Sequence, residues 1–115
     1  QMRRGAVALL SLSNDAWLGS GAGPEQHLWM MSVRAVENRT WVVRATTTGV
    51  SALIDPWGRM VARSGRDFAT TLRGEIAALR IDTFYERHGD VFARLCVAAA
   101  FGALKAAVLR AAGSR

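Results

Sequence analysis

The feature that most restricts this chain is a nearly continuous apolar run, residues 6–12, broken by Ser11 and stopping abruptly at Ser13-Asn14-Asp15. A short continuous apolar run reads as a strand buried on both faces, and its polar end as a loop opening at the strand's carboxyl end. Gly19, Gly21 and Gly23 follow and are expected to keep that loop mobile. Pro24 comes next, at a position where a helix starts well, since its missing N–H would be unsatisfied there in any case. The expected unit is strand, loop and helix, with the helix over residues 24–38. Loops at the carboxyl ends of parallel strands are where ligands usually bind.

Within that helix Leu28, Trp29, Met30, Met31, Val33, Ala35 and Val36 fill more than one stripe, so most of its circumference is expected to be covered. His27, Arg34 and Asn38 share one narrow side. Residues 40–48 are rich in β-branched side chains and read as a strand. Segments 50–54 and 59–63 flank Asp55-Pro56-Trp57-Gly58, whose residue types suit a type I turn between antiparallel strands. One more strand is expected over 70–79, with Arg73-Gly74 inside it. The order predicts an α/β fold, yet these elements alone leave a sheet edge unpaired and a sheet face bare.

At 115 residues the chain can build one domain but not a two-domain enzyme with its own cleft, and 50% hydrophobic content excludes disorder. Fifteen basic residues, nearly all Arg, against nine acidic ones give +6. The cations at Arg34, Arg44, Arg59, Arg63, Arg73, Arg80 and Arg87 are interleaved with acids and do not alternate with aromatics, so no nucleic-acid partner is expected. Residues 1–4 are neither a signal nor a transit sequence. Cys96 is a single cysteine and closes no disulfide within the chain.

The balance of residues changes at 89/90, which divides a domain, 1–89, from a tail, 90–115. No acid follows Asp90. Residues 91–109 are long enough for a helix spanning roughly 30 Å of hydrocarbon, although Arg94 and Lys105 interrupt them. Both charges lie near the ends, where long side chains snorkel, and Arg110 and Arg115 suit a cytoplasmic flank. Hydropathy alone fits equally an Ala-rich helix packed on the domain.

No complete catalytic set is present. Cys96, between Leu95 and Val97, lacks the base, cation or helix start that activates a thiol and is expected to be a small buried hydrophobe. His27 and His88 lack the spacing of a metal site. His27 suits either a pocket wall or a hydrogen-bonded structural role. Asn14 and Asp15 suit turn formation and capping, or a pocket floor beneath an apolar lid of Trp17 and Leu18.

The strings Ser13-Asn14-Asp15-Ala16-Trp17-Leu18-Gly19, Gly23-Pro24-Glu25-Gln26-His27-Leu28 and Arg34-Ala35-Val36-Glu37 closely resemble the apolipoprotein N-acyltransferase family of the nitrilase, or carbon–nitrogen hydrolase, superfamily. The resemblance continues through Arg44-Ala45-Thr46-Thr47-Thr48-Gly49, Asp55-Pro56, Gly58-Arg59, Leu72-Arg73-Gly74-Glu75, Tyr85, Arg87 and Gly89-Asp90. Leu18 replaces the usual Phe, Thr47 an Asn, and Phe84 a Pro; the second removes an amide that could orient the site.

The resemblance implies a partial αββα sandwich on the extracytoplasmic side of the inner membrane, then a transmembrane helix returning the chain to the cytoplasm. It implies acyl transfer without a cofactor. A Cys takes a fatty acyl group from a phospholipid donor as a thioester, and the amino terminus of a diacylglyceryl-cysteine lipoprotein accepts it, with Glu as base and Lys at the oxyanion. That family carries these three residues before its Asn-Asp-Ala-Trp motif, and the thirteen residues preceding Asn14 contain no Cys, Glu or Lys. The chain is therefore expected to be the carboxyl-terminal part of the enzyme, with no catalytic residue of its own and inactive alone. Asn14, Asp15, Trp17 and His27 are its expected substrate-binding residues. A part of a soluble amidase and a non-catalytic membrane-associated binding protein are the alternatives.

Overall fold

The computed structural model of the chain describes residues 5–79 and 81–113; residues 1–4, Arg80 and Arg115 of the reading above lie outside them. Strand β1 (Ala8–Ser13) leads through a 3-10 turn (Ala16–Leu18) into helix α1 (Gly23–Asn38), and β2 (Trp41–Thr46) returns beside β1. Strands β3 (Ala52–Ile54) and β4 (Met60–Arg63) complete one sheet in the order β1-β2-β3-β4. The β1/β2 pair is parallel, with Ser13 opposite Thr46, and the other two pairs are antiparallel.

Each transition has a local cause. Pro24 stands in the first turn of α1. At the other end Arg39 takes a left-handed conformation, φ 45°, and its N–H donates to Ala35 and Val36 carbonyls. Thr40 Oγ1 then donates to Val7 O at 2.9 Å, fixing the start of β2 beside β1. The β3/β4 connection is the expected turn: Gly58, φ 83°, donates its N–H to Asp55 O, and Asp55 Oδ1 accepts the N–H groups of Trp57 and Arg59, all at 2.9 Å.

The core lies between α1 and one sheet face, where Leu28 and Ala35 of α1 pack on Val42, Ala52 and Ile54, with Leu9, Met31 and Met60 at its margin. The reverse face is largely bare, Leu10 and Leu12 being 69% and 75% exposed. Among the described residues the chain therefore supplies one sheet and one long covering helix, an α/β layer pair.

Three expectations fail here. Residues 70–79 form no strand. Residues 70–74 and 76 lie against the reverse sheet face instead, lining a hollow of about 390 Å³ with Val43 and Leu53, and a Cβ on Gly74 would stand 2.4 Å from Leu53 Cδ2. A segment pressed flat on a sheet face cannot also pair along an edge. Helix α1 is not covered around its circumference, for Trp29, Met30 and Val33 face outward. Cys96 is exposed, because the helix that carries it is left uncovered by the other described residues.

That helix is α3 (Val91–Gly113), preceded by the short helix α2 (Phe84–His88). Over Val91–Arg110 its mean hydropathy is 1.8 and none of it is buried, so within this chain it is not the domain-packed helix that hydropathy alone allowed. Its length and composition suffice to cross a membrane.

Candidate functional site at the carboxyl end of the parallel strands

Parallel pairing brings the ends of β1 and β2 together, and the loops leaving them are laced by Thr47 N–H to Ser13 O at 3.0 Å and Asp15 N–H to Thr48 O at 3.3 Å. Asp15 is thereby turned inward, its side chain wholly buried. Three elements reach it. Ser13 Oγ donates to Oδ1 at 2.7 Å, His27 Nδ1 from the start of α1 lies 2.9 Å from the same oxygen, and Arg44 Nη2 from β2 donates to Oδ2 at 2.6 Å. Burial alone would raise the Asp15 carboxyl, but the hydrogen bonds from Ser13, His27 and Arg44 and the Arg44 charge outweigh it and hold the group below its ordinary range.

Arg44 is the residue the sequence reading passed over. Its side chain is fully buried, Nε donates to Val50 O at 3.3 Å, and Nη1 has no partner among the described residues. A buried guanidinium needs an anion beside it, and Asp15 is that anion. The available signal was a cation in the middle of Val42-Val43-Arg44-Ala45, an otherwise apolar strand.

His27 forms the outer layer. Its side chain is 26% exposed, and Arg44 Nη2 comes within 3.2 Å of the same Nδ1. A proton on Nδ1 donates to Asp15 and leaves Nε2 as an acceptor. Nε2 has no partner among the described residues and is not sealed from solvent. Trp17 lies edge-on to the imidazole, ring centroids 6.5 Å apart, and is 77% exposed. Asn14 is occupied by the turn: its Oδ1 accepts from Ala16 N–H at 3.1 Å and from Thr48 Oγ1 at 2.6 Å.

The four expected site residues thus converge, but in two layers. Trp17 and His27 face outward, Asn14 shapes the turn, and Asp15 is sealed behind them. A hollow of about 320 Å³ opens beside them, lined by Asp15, Ser20, Gly49, Arg66 and Asp67 among others. Gly49 is required here: its φ is 99°, and a Cβ would stand 2.7 Å from Asp15 Oδ2. The glycine loop is tied down, because Arg66 donates to the carbonyls of Gly19 at 2.7 Å, Ser20 at 2.8 Å and Gly21 at 3.3 Å. Among the described residues no three His, Cys, Asp or Glu side chains converge as a metal-holding set.

Residues 2–85 match the sequence model of the carbon-nitrogen hydrolase family. An apolipoprotein N-acyltransferase from Geobacter metallireducens is 41% identical over 99 residues, covering 86% of this chain and 19% of its own length. One from Azotobacter vinelandii is 47% identical over 79 residues, 69% of this chain and 15% of its own length. One from Agrobacterium fabrum is 41% identical over 106 residues, 88% of this chain and 20% of its own length. The chain thus spans about a fifth or less of the relatives it matches.

Proposed function

This chain belongs to the carbon–nitrogen hydrolase family, and from that membership we propose that it forms the carboxyl-terminal part of an apolipoprotein N-acyltransferase: residues 1–89 complete the catalytic domain, and 90–115 cross the inner membrane toward the cytoplasm. The complete protein moves a fatty acyl group from a phospholipid to the amino terminus of a lipoprotein's diacylglyceryl-cysteine. The Glu base takes the Cys proton, the thiolate attacks the donor ester, a C–S bond replaces the C–O bond, and the lysophospholipid leaves as an alcohol carrying that proton. The acceptor amine then attacks the thioester, a C–N bond forms, the amine gives up a proton to the base, and the thiolate is released. Cys, the Glu base and the Lys at the oxyanion belong to the portion preceding Asn14, so this chain alone is inactive.

The observation that carries this reading is the convergence of three matched stretches, 13–17, His27 and Arg44, on one point at the carboxyl ends of parallel strands. Trp17 gives the acyl chain an apolar wall, His27 stands beside its ring, and Asn14 and Asp15 hold the turn that presents them. The bare apolar length of α3 favours a membrane enzyme over a soluble amidase of the same family, since a helix that packed on the domain would bury one side.

The test is Trp17→Ala in the complete protein, assayed for acyl transfer from phospholipid to a lipopeptide. An exposed side chain contributes little to folding, so expression and melting stay unchanged while transfer falls. Unaltered turnover removes Trp17 from the site. A complete reading frame lacking Cys, Glu and Lys upstream of Asn14 removes the acyltransferase reading altogether.

A further inference from the structure

The outward face of α1 carries Trp29, Met30 and Val33, all more than half exposed, with Val36 beside them. Trp57, at the tip of the β3/β4 turn, closes a shallow hollow of about 320 Å³ against this face. A contiguous apolar face with two indoles marks an interaction surface, and the chain's own layout restricts its occupant. At the amino end of α1 stands His27, in the cluster with Asp15 and Trp17 described above. At its carboxyl end α2 is docked, through Arg34 Nη1 to Tyr85 Oη at 3.2 Å and Thr83 Oγ1 to Glu37 O at 2.5 Å. Helix α3 starts three residues after α2 ends, with Phe92 81% exposed.

The geometry points to a phospholipid surface as the occupant: α1 lies along the membrane, with Trp29, Met30, Val33 and Trp57 in the interfacial layer. This rests on the function proposed above, in which α3 spans the bilayer and Trp17 meets a lipid acyl chain. Sixteen residues make α1 about 24 Å long, and both of its ends then sit at the membrane, so its axis runs along the surface. The rim has the complementary charge. The three acids beside the face are each paired, Glu25 with Arg63 and Glu37 with Arg34 at 2.8 Å and Asp55 with Arg59 at 2.7 Å, and Arg39 adds a further cation. Arg59 also lies over the Trp57 ring, 5.6 Å from its centroid, as an amphipathic anchor at anionic headgroups requires.

The experiment uses the complete protein in vesicles of phosphatidylethanolamine and phosphatidylglycerol, with photoreactive p-benzoylphenylalanine replacing Val33, Trp57 or, on the opposite side of the sheet, Thr71. Irradiation is expected to give several-fold more phospholipid adduct at 33 and 57 than at 71. Lipid adduct no greater at 33 and 57 than at 71, or cross-links there to polypeptide alone, overturns the assignment; the latter outcome gives the face to the remaining polypeptide or to a second copy. The same vesicles are assayed for acyl transfer to a lipopeptide. Transfer with no lipid adduct sinks only the membrane face, whereas absent transfer sinks the proposed function.

Discussion

Replacing Asp15 by Asn preserves the shape of a wholly buried side chain and deletes its charge. Arg44, equally buried and 2.6 Å away, then keeps its own charge with no counter-ion in a medium that solvates it poorly. Breaking one half of such a pair costs about 3–5 kcal/mol, against about 0–1 kcal/mol for an ion pair in water. Two details push Asp15→Asn toward the upper figure. Arg44 Nη1 already lacks a partner, and Ser13 and His27 both lose an anionic acceptor. The internal reference is Arg63–Glu25, 2.8 Å apart with side chains 45% and 40% exposed. Denaturant unfolding of the complete protein in detergent, read by protease cleavage, compares Asp15→Asn, Arg44→Met, the double variant and Glu25→Gln. Both single changes at the buried pair are expected to cost several times more than Glu25→Gln. The double variant recovers most of the loss, because both charges leave together. Buried-pair losses that merely add, or an Asp15→Asn cost equal to that of Glu25→Gln, refute the argument that mutual neutralisation holds this corner of the fold.

Acid stability follows from the same group. The folded pKa of Asp15 lies below its unfolded value of about 3.9. Asp55 is also lowered: burial raises it, but hydrogen bonds from Arg59 and the Trp57 N–H and the Arg59 charge prevail. A depressed folded pKa adds stability that is complete above the unfolded value and drains away as pH falls through the folded one. Unfolding titrated downward from about pH 5 should therefore steepen below about pH 4, less so in Asp15→Asn; identical acid limbs contradict this. In α3, Phe101→Asp puts a charge near the centre of Val91–Arg110, where insertion scales set the cost at about 2.5–3.5 kcal/mol. Membrane integration, measured by carbonate extraction of a tail reporter fusion, should fall, and full resistance to extraction contradicts a spanning α3.

The elements legible in the sequence are those with local causes. Residues 6–12, Pro24 and Asp55-Pro56-Trp57-Gly58 each dictate their own backbone, and β1, α1 and the β3/β4 hairpin stand within two residues of where those signals place them. The failures concern what lies across from a segment. Nothing in residues 70–79 says whether a sheet edge or a sheet face is free to receive them, and only the approach of Gly74 to Leu53 shows that it is the face. The apolar positions of α1 likewise do not say what covers Trp29 or Val33. Asn14, Asp15 and Trp17 are legible in the sequence as a cluster, to which the family resemblance adds His27, but their layering is not. Charge counting treats Arg44 as one more solvated cation, while its place on β2 opposite Ser11 turns it inward beneath Asp15.

That layering separates two roles that a single alanine scan would merge, and His27 is where they divide. One edge of its ring, Nδ1, belongs to the buried Asp15 clasp; the other, Nε2, is free toward solvent beside Trp17. Gln at this position offers an amide N–H to Asp15 in place of Nδ1–H, yet carries no imidazole nitrogen outward. Phe fills the same volume and supplies no donor, leaving Oδ1 to Ser13 alone. If His27 only supports Asp15, Gln rescues both stability and transfer, and Phe loses about 1–3 kcal/mol, the cost of an unmade buried hydrogen bond. If Nε2 also meets the substrate, Gln keeps the melting temperature but transfer drops, with the loss in kcat/KM rather than in folded protein. The latter outcome is expected under the proposed function, because the free ring edge lies beside the exposed indole. Full transfer by His27→Gln assigns the histidine wholly to the clasp and leaves the proposed substrate contact to Trp17.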